Sequence, residues 1–256
     1  LFAILPFMSE LAVLVCHGFT AAPRTVEYIA PYLERAGLPY SIPILRGHAT
    51  KYTDLEGVRW TDWVADGLAA FDSLRAQHAR VAVVGHSMGA LVAAQIAAER
   101  TVDSLTLVAP ALKFANPLSR FVGLLAPVIK VWKGDGPNLF DADLLAQVKR
   151  DPVTYDRFPT AAFGELYTLA GLTPKVLERV TARALVIHSL QDEVIPPKAG
   201  EIALEHLGSK DKRVKWMERS RHEMFWDGER GALCEEIVRF VLQRDGLEKK
   251  TVQTSG

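Results

Sequence analysis

The chain has 256 residues, room for one large hydrophobic core with or without an insertion. Apolar residues make up 49% and charged residues 23%, which excludes a disordered or fibrous chain. Thirty basic and thirty acidic residues cancel, so no nucleic-acid partner and no anionic membrane surface is expected.

At the start, residues 1–7 are apolar but lack a basic lead, and Pro6 and Ser9-Glu10 interrupt them. That pattern argues against a signal peptide or a stable membrane insertion, and Met8 is a candidate native start. Strand-like runs follow at 11–16, 40–45, 81–84, 104–108, 184–188 and 213–217, apolar without clean alternation. Helical stretches lie between them at 23–36, 60–77, 88–100, 197–207 and 229–243. Regular alternation of this kind predicts an α/β fold, a mostly parallel sheet with helices on both faces. The interval 110–174 breaks the rhythm: no strand is evident, and seven of the fourteen prolines fall there. It reads as a helical cap insertion, with pieces at 121–132, 142–150 and 161–170, over a core made of 8–109 and 175–245. The polar tail after Asp245 is expected to fray. Cys16 and Cys234 have no metal-ligand spacing and read as two buried free thiols, which fits a reducing, cytoplasmic setting.

Chemistry concentrates at Gly85-His86-Ser87-Met88-Gly89, a serine between glycines where a β-branched run gives way to an Ala-rich helix. A turn that tight leaves no room for flanking side chains, and the helix start adds free N–H groups beside the serine oxygen. A serine needs a base to take its proton, and the base needs an orienting acid. His222 follows the last strand and is the candidate base; Asp192 follows the strand before it and is the candidate acid, with Glu193 and Asp227 as substitutes. The backbone N–H groups of Met88 and Phe19 are the candidate oxyanion donors, the latter from the loop His17-Gly18-Phe19-Thr20. His17 suits support of that loop, His86 and His48 packing, and His78, His188 and His206 show no companions. No metal and no cofactor is expected, since no His, Asp or Glu cluster has ligand spacing. Leu124, Leu125, Val128 and Ile129 in the cap are expected to line an acyl pocket.

These residues resemble the serine α/β-hydrolase superfamily, in particular small bacterial carboxylesterases and monoacylglycerol lipases. The match runs through His17-Gly-Phe-Thr20, Arg46-Gly-His48, Trp60-x-x-Trp63, the elbow, Asp192 to Pro196, and His222. The resemblance implies the α/β-hydrolase fold, triad roles for Ser87, Asp192 and His222, and an oxyanion hole of Phe19 and Met88. It also implies that 110–174 is the family's cap. Ala21, Ala49 and Ala90 stand where relatives often carry glycine. The expected substrate is a small-molecule acyl ester of short to medium chain, with monoacylglycerols a candidate, cleaved through an acyl-enzyme. The alternatives are an amide or peptide hydrolase of the same fold, for which Asp135, Asp141, Asp143 and Glu165 would offer acidic groups to an amino terminus, and a non-catalytic binding protein on the same scaffold. A dehalogenase is disfavoured because position 87 is not a carboxylate. Nothing in the residues speaks to oligomeric state.

Overall fold

The computed structural model describes residues 10–134 and 136–243; the readings made for 1–7, Asp135 and the tail after Asp245 lie outside the described residues. Six strands form one parallel sheet: β1 (Leu11–Cys16), β2 (Tyr40–Ser41), β3 (Arg80–His86), β4 (Leu105–Val108), β7 (Ala184–Ser189) and β8 (Lys212–Met217). Their spatial order is β2-β1-β3-β4-β7-β8. β1, β3, β4 and β7 are apolar because both sheet faces are covered. Ala12, Leu14 and Cys16 of β1 face one core, with α2 (Trp60–Arg75) and α3 (Met88–Glu99). Leu11, Val13 and Val15 face the other, with α1 (Ala30–Arg35) and α8 (Arg230–Leu242). α7 (Lys198–His206) joins the first face through Ala199 and Ala203.

The chain leaves β1 toward one edge and returns through β3 on the other side, so the sheet's switch point lies between these two strands. Ligand crevices of open α/β sheets form at that place, beyond the carboxyl ends of the strands.

The segment between β4 and β7 departs from the expected strandless interval. It holds α4 (Ser119–Val122), a 3-10 turn at Gly123–Leu125, α5 (Ala142–Arg150) and α6 (Thr160–Leu177). It also holds a small antiparallel pair, β5 (Val131–Lys133) and β6 (Arg157–Pro159). The helix expected at 121–132 is replaced by α4 and the 3-10 turn, and a last turn closes across Pro127 with Ile129 N–H donating to Leu125 O at 2.7 Å. Gly123 also lies so close to α6 that an added Cβ would sit 2.8 Å from the Gly164 Cα. α6 runs past its expected end and through Pro174, since the buried stripe Leu166, Leu169, Thr173 and Leu177 continues across the proline. The predicted strand at 40–45 shrinks to two residues, and the helix at 23–36 is two 3-10 turns followed by α1. No helix among the described residues is long and apolar enough to cross a membrane.

Candidate active site

Ser87 joins β3 to α3 with φ 55° and ψ −117°, a conformation that costs a non-glycine residue about 1–3 kcal/mol. The surroundings hold it: its N–H donates to Val108 O at 2.9 Å, and its carbonyl accepts from Ala90 N–H at 3.1 Å. The flanking glycines are required by close approach. A Cβ on Gly85 would fall 2.2 Å from Gly89 O, and one on Gly89 would fall 2.2 Å from Cys16 O.

Loops beyond β7 and β8 bring two more groups to this corner. His222 Nε2 lies 3.1 Å from Ser87 Oγ, and His222 Nδ1 lies 2.7 Å from Asp192 Oδ2. The carboxylate can only accept from the neutral ring, so Nδ1 carries the proton and Nε2 is free to take one from the serine. The other oxygen, Asp192 Oδ1, accepts the N–H groups of Val194 at 2.9 Å and Ile195 at 2.8 Å. Burial opposes ionisation of Asp192, but the His222 charge and hydrogen bond, with the Ile195 N–H, hold its carboxyl below the usual range. Burial likewise disfavours the His222 cation, yet Asp192 outweighs it and lifts the imidazole above its ordinary value.

The loop after β1 passes directly over the serine, so that a Cβ on Gly18 would be 3.4 Å from Ser87 Cβ. His17 holds that loop. Its Nε2 accepts the Leu45 N–H at 3.2 Å, which fixes the proton on Nδ1, and Nδ1 donates to Gly18 O at 2.9 Å. Burial pushes this imidazole down to about 3, so it stays neutral. Gly18 O shares a peptide plane with the Phe19 N–H, and anchoring one end of that plane orients the other. The Met88 N–H opens α3 and has no acceptor within the helix. The Phe19 ring meets Trp63, Phe158 and His48 edge-on.

Other candidates have different duties. His86 donates to His222 O at 2.9 Å, and His188 donates to Ile195 O at 2.9 Å, so one buttresses the loop of His222 and the other the loop of Asp192. His48 packs against His17 and Trp63. Glu193 pairs with Arg221 at 3.3 Å and does not reach His222. Asp227 accepts the N–H groups of Phe140, Asp141, Arg221 and Gly228, a bond set that fixes loops.

A cavity of about 280 Å³ opens over Ser87 and His222. Phe114, Leu118, Val122, Trp132, Phe158 and Phe163 line one side of it. Asn138, Thr154, Glu193 and Glu223 bring polar groups to the same space. Leu124, Leu125, Val128 and Ile129 do not line it, which corrects the expectation drawn from composition. The early end of α4 turns them outward, leaving Leu124 74% and Val128 84% exposed, whereas Val122 on the inner side is 6% exposed. Of the acidic cap residues, Asp141 caps α5 and pairs with Arg230, Asp143 is exposed, and Glu165 accepts the Trp60 N–H. None of these three lines the cavity.

Two further residues escaped the sequence reading. Asn138 accepts the His222 N–H at 3.1 Å and, through its carbonyl, the Glu223 N–H at 3.0 Å. Glu223 faces the cavity, and its carboxyl accepts no hydrogen bond from any described residue. Burial, with Asp192 and Asp227 nearby, raises that carboxyl above its ordinary range against the opposing pull of His222. The Gly136-Pro137 loop before Asn138 carries no periodicity that would have flagged it; the adjacency of Glu223 to His222 was a usable signal. Among the described residues no cluster of three or more His, Cys, Asp or Glu side chains could hold a metal ion.

Comparison with known proteins gives a consistent picture. A family model described as serine aminopeptidase, S33, matches residues 9–229. A thermostable monoacylglycerol lipase of Bacillus sp. (strain H-257) is 27% identical over 248 residues, covering 94% of this chain and 95% of the relative. A carboxylesterase of Bacillus subtilis (strain 168) is 20% identical, with coverage of 92% and 94%. Among solved structures, one from the metagenome-derived lipolytic enzymes LipS and LipT superposes with a TM-score of 0.84 at 28% identity, covering 91% of this chain and 94% of that one.

Proposed function

The chain belongs to the serine aminopeptidase S33 family, and from its likeness to monoacylglycerol lipase and carboxylesterase relatives we propose that it is a serine ester hydrolase acting through an acyl-enzyme. Ser87 Oγ attacks the ester carbonyl while His222 Nε2 takes its proton and Asp192 steadies the resulting cation. The Phe19 and Met88 N–H groups hold the oxyanion. The alcohol then departs with the proton from His222, and water repeats the sequence to free the acid. The observation that carries this reading is the unbroken chain Asp192–His222–Ser87, at 2.7 and 3.1 Å, opening into a cavity of mixed polarity.

Residues 110–174 act as the cap that supplies the acyl side. A cavity of 280 Å³ lies near the small end of ligand pockets, roughly 300–1,000 Å³, which favours short to medium acyl chains. The leaving alcohol must lie beside His222, where Glu223 and Asn138 offer hydrogen bonds to further hydroxyl groups, so a monoacylglycerol is the substrate class that fits both halves. The thermostable monoacylglycerol lipase among the relatives supports the same class. Buried free Cys16 and Cys234, both pushed up to about 12 by burial, suit a cytoplasmic protein.

Matched series of monoacylglycerols, p-nitrophenyl esters from acetate to palmitate, and aminoacyl p-nitroanilides test this. Medium-chain monoacylglycerols should be cleaved best, the anilides should stay intact, and Ser87→Ala should lower kcat by about 10⁶-fold. Efficient release of nitroaniline, with monoacylglycerols untouched, would move the assignment to peptide hydrolysis.

A further inference from the structure

Tyr155 belongs to the segment over the sheet, yet it holds two loops of the core together. Its backbone N–H donates to Thr20 O at 2.9 Å. Beside it, Ala22 N–H donates to Val153 O at 3.0 Å, and Ala21 and Thr154 pair as an antiparallel bridge. Its hydroxyl donates to Gly47 O at 3.1 Å and accepts the Thr50 N–H at 2.9 Å. The residue thus links the 17–20 loop to the 46–50 loop.

Thr20 is the strained element in this arrangement. Its φ is 60°, a left-handed conformation that β-branched residues avoid. It is the third residue of the turn closed by Ala21 N–H on Gly18 O at 3.4 Å, and Phe19 is the second. Strain of this kind persists only where neighbours over-determine it, and it clusters where geometry serves function. Two bonds hold Thr20: the Tyr155 N–H on its carbonyl, and its own hydroxyl donating to Phe19 O at 2.6 Å. If Thr20 relaxed, the Gly18–Phe19 peptide over Ser87 would turn with it.

We propose that Tyr155 is a positioning residue, through which the cap segment holds the strained turn that presents the Phe19 N–H to the oxyanion. The proposal rests on the assignment of Phe19 as an oxyanion donor. The hydroxyl anchors the ring to Gly47 and Thr50, the ring fixes the 153–155 backbone, and that backbone fixes Thr20. An effect exerted on the oxyanion appears in the transition state and not in substrate binding.

Tyr155 also lines the cavity, so Tyr155→Phe, which keeps the ring and the backbone N–H and removes the hydroxyl anchor, is the primary variant; Tyr155→Ala is the harsher second. With p-nitrophenyl butyrate, Tyr155→Phe should lower kcat by about tenfold, less than the 10²–10³-fold of losing a donor outright, with KM within about twofold. Affinity for an alkyl boronic acid, which forms a tetrahedral adduct on the serine, should fall by the same factor. A variant with wild-type kcat and boronate affinity, even one with a lower melting temperature, would show that Tyr155 merely pins the segment and would overturn the proposal. Organophosphate labelling of the wild-type protein separates the two levels. Failure to label Ser87 sinks the underlying active-site reading, whereas labelling and turnover with an indifferent Tyr155→Phe sink only this proposal.

Discussion

Burial and charge pull the proton of His222 in opposite directions, and charge wins. Desolvation disfavours the imidazolium, but Asp192 at 2.7 Å and the nearby Glu223 hold it, so the pKa stands above the ordinary 6.5. A general base must be neutral to act, and a raised pKa delays deprotonation as pH climbs. The acid limb of kcat/KM should therefore rise through a midpoint above 6.5. Asp192→Asn removes the anion that lifts the pKa and releases the tautomer; its residual activity should be lower by about 10⁴-fold, with a midpoint shifted down. A pH–rate profile of both proteins checks this, and a full-rate Asp192→Asn enzyme would reassign the acid. The meeting of Ser87, Asp192 and His222 was legible in the sequence because each follows a strand-like run on the sheet's carboxyl edge. Ala49 was legible in a weaker sense, as a departure from glycine in related sequences; its φ of 60° supplies the reason. Ala49→Gly relieves that conformation at an entropic cost in the unfolded chain, and should add about 0.5 kcal/mol in a denaturant melt.

Which way the cap's apolar side chains point was not written in their composition. The run from Leu118 to Trp132 holds enough apolar residues for one amphipathic helix, and nothing local marks its inner side. The α-helix gives way to a 3-10 turn after Val122, the Gly123–Gly164 approach sets how that turn lies on α6, and Val122 and Trp132 turn inward while Val128 turns out. Paired substitutions separate these positions. Val122→Ala enlarges the acyl side and should shift the preferred p-nitrophenyl ester toward longer chains, with about 0.8 kcal/mol, or three- to fourfold in kcat/KM, per added methylene accommodated. Phe114→Ala, opening more space beside Phe163, should shift it further. Val128→Ala should leave the profile where it is. If Val128→Ala moves the optimum and Val122→Ala does not, the orientation of α4 is wrong.

At the scale of the whole molecule, the parallel sheet with helices on both faces followed from alternation of strand and helix patterns, while the tie between the 110–174 segment and the sheet did not, because it runs through backbone donors that no sequence pattern reveals. Asp227 is that tie. It is fully buried, and its carboxylate accepts Phe140 N–H at 2.9 Å and Asp141 N–H at 3.0 Å from the cap. It also accepts Arg221 N–H at 2.7 Å beside His222, and Gly228 N–H at 2.9 Å ahead of α8. One side chain thus sets the return path of the 110–174 segment and the approach of His222, the proposed base, together. Asp227→Asn is nearly isosteric, but it replaces one acceptor oxygen by an amide donor facing backbone N–H groups, leaving them unsatisfied in the interior. The cost should be about 2–4 kcal/mol. For a chain of this length that lowers the melting temperature by roughly 5–15 °C. Because the Arg221–His222 backbone loses its anchor, kcat should fall as well, in molecules that remain folded at low temperature. Calorimetry with steady-state kinetics below the transition separates the two effects. A large loss of stability at wild-type kcat would mean that Asn138 and His86 hold the His222 loop without help, and that Asp227 serves only the seam between cap and core.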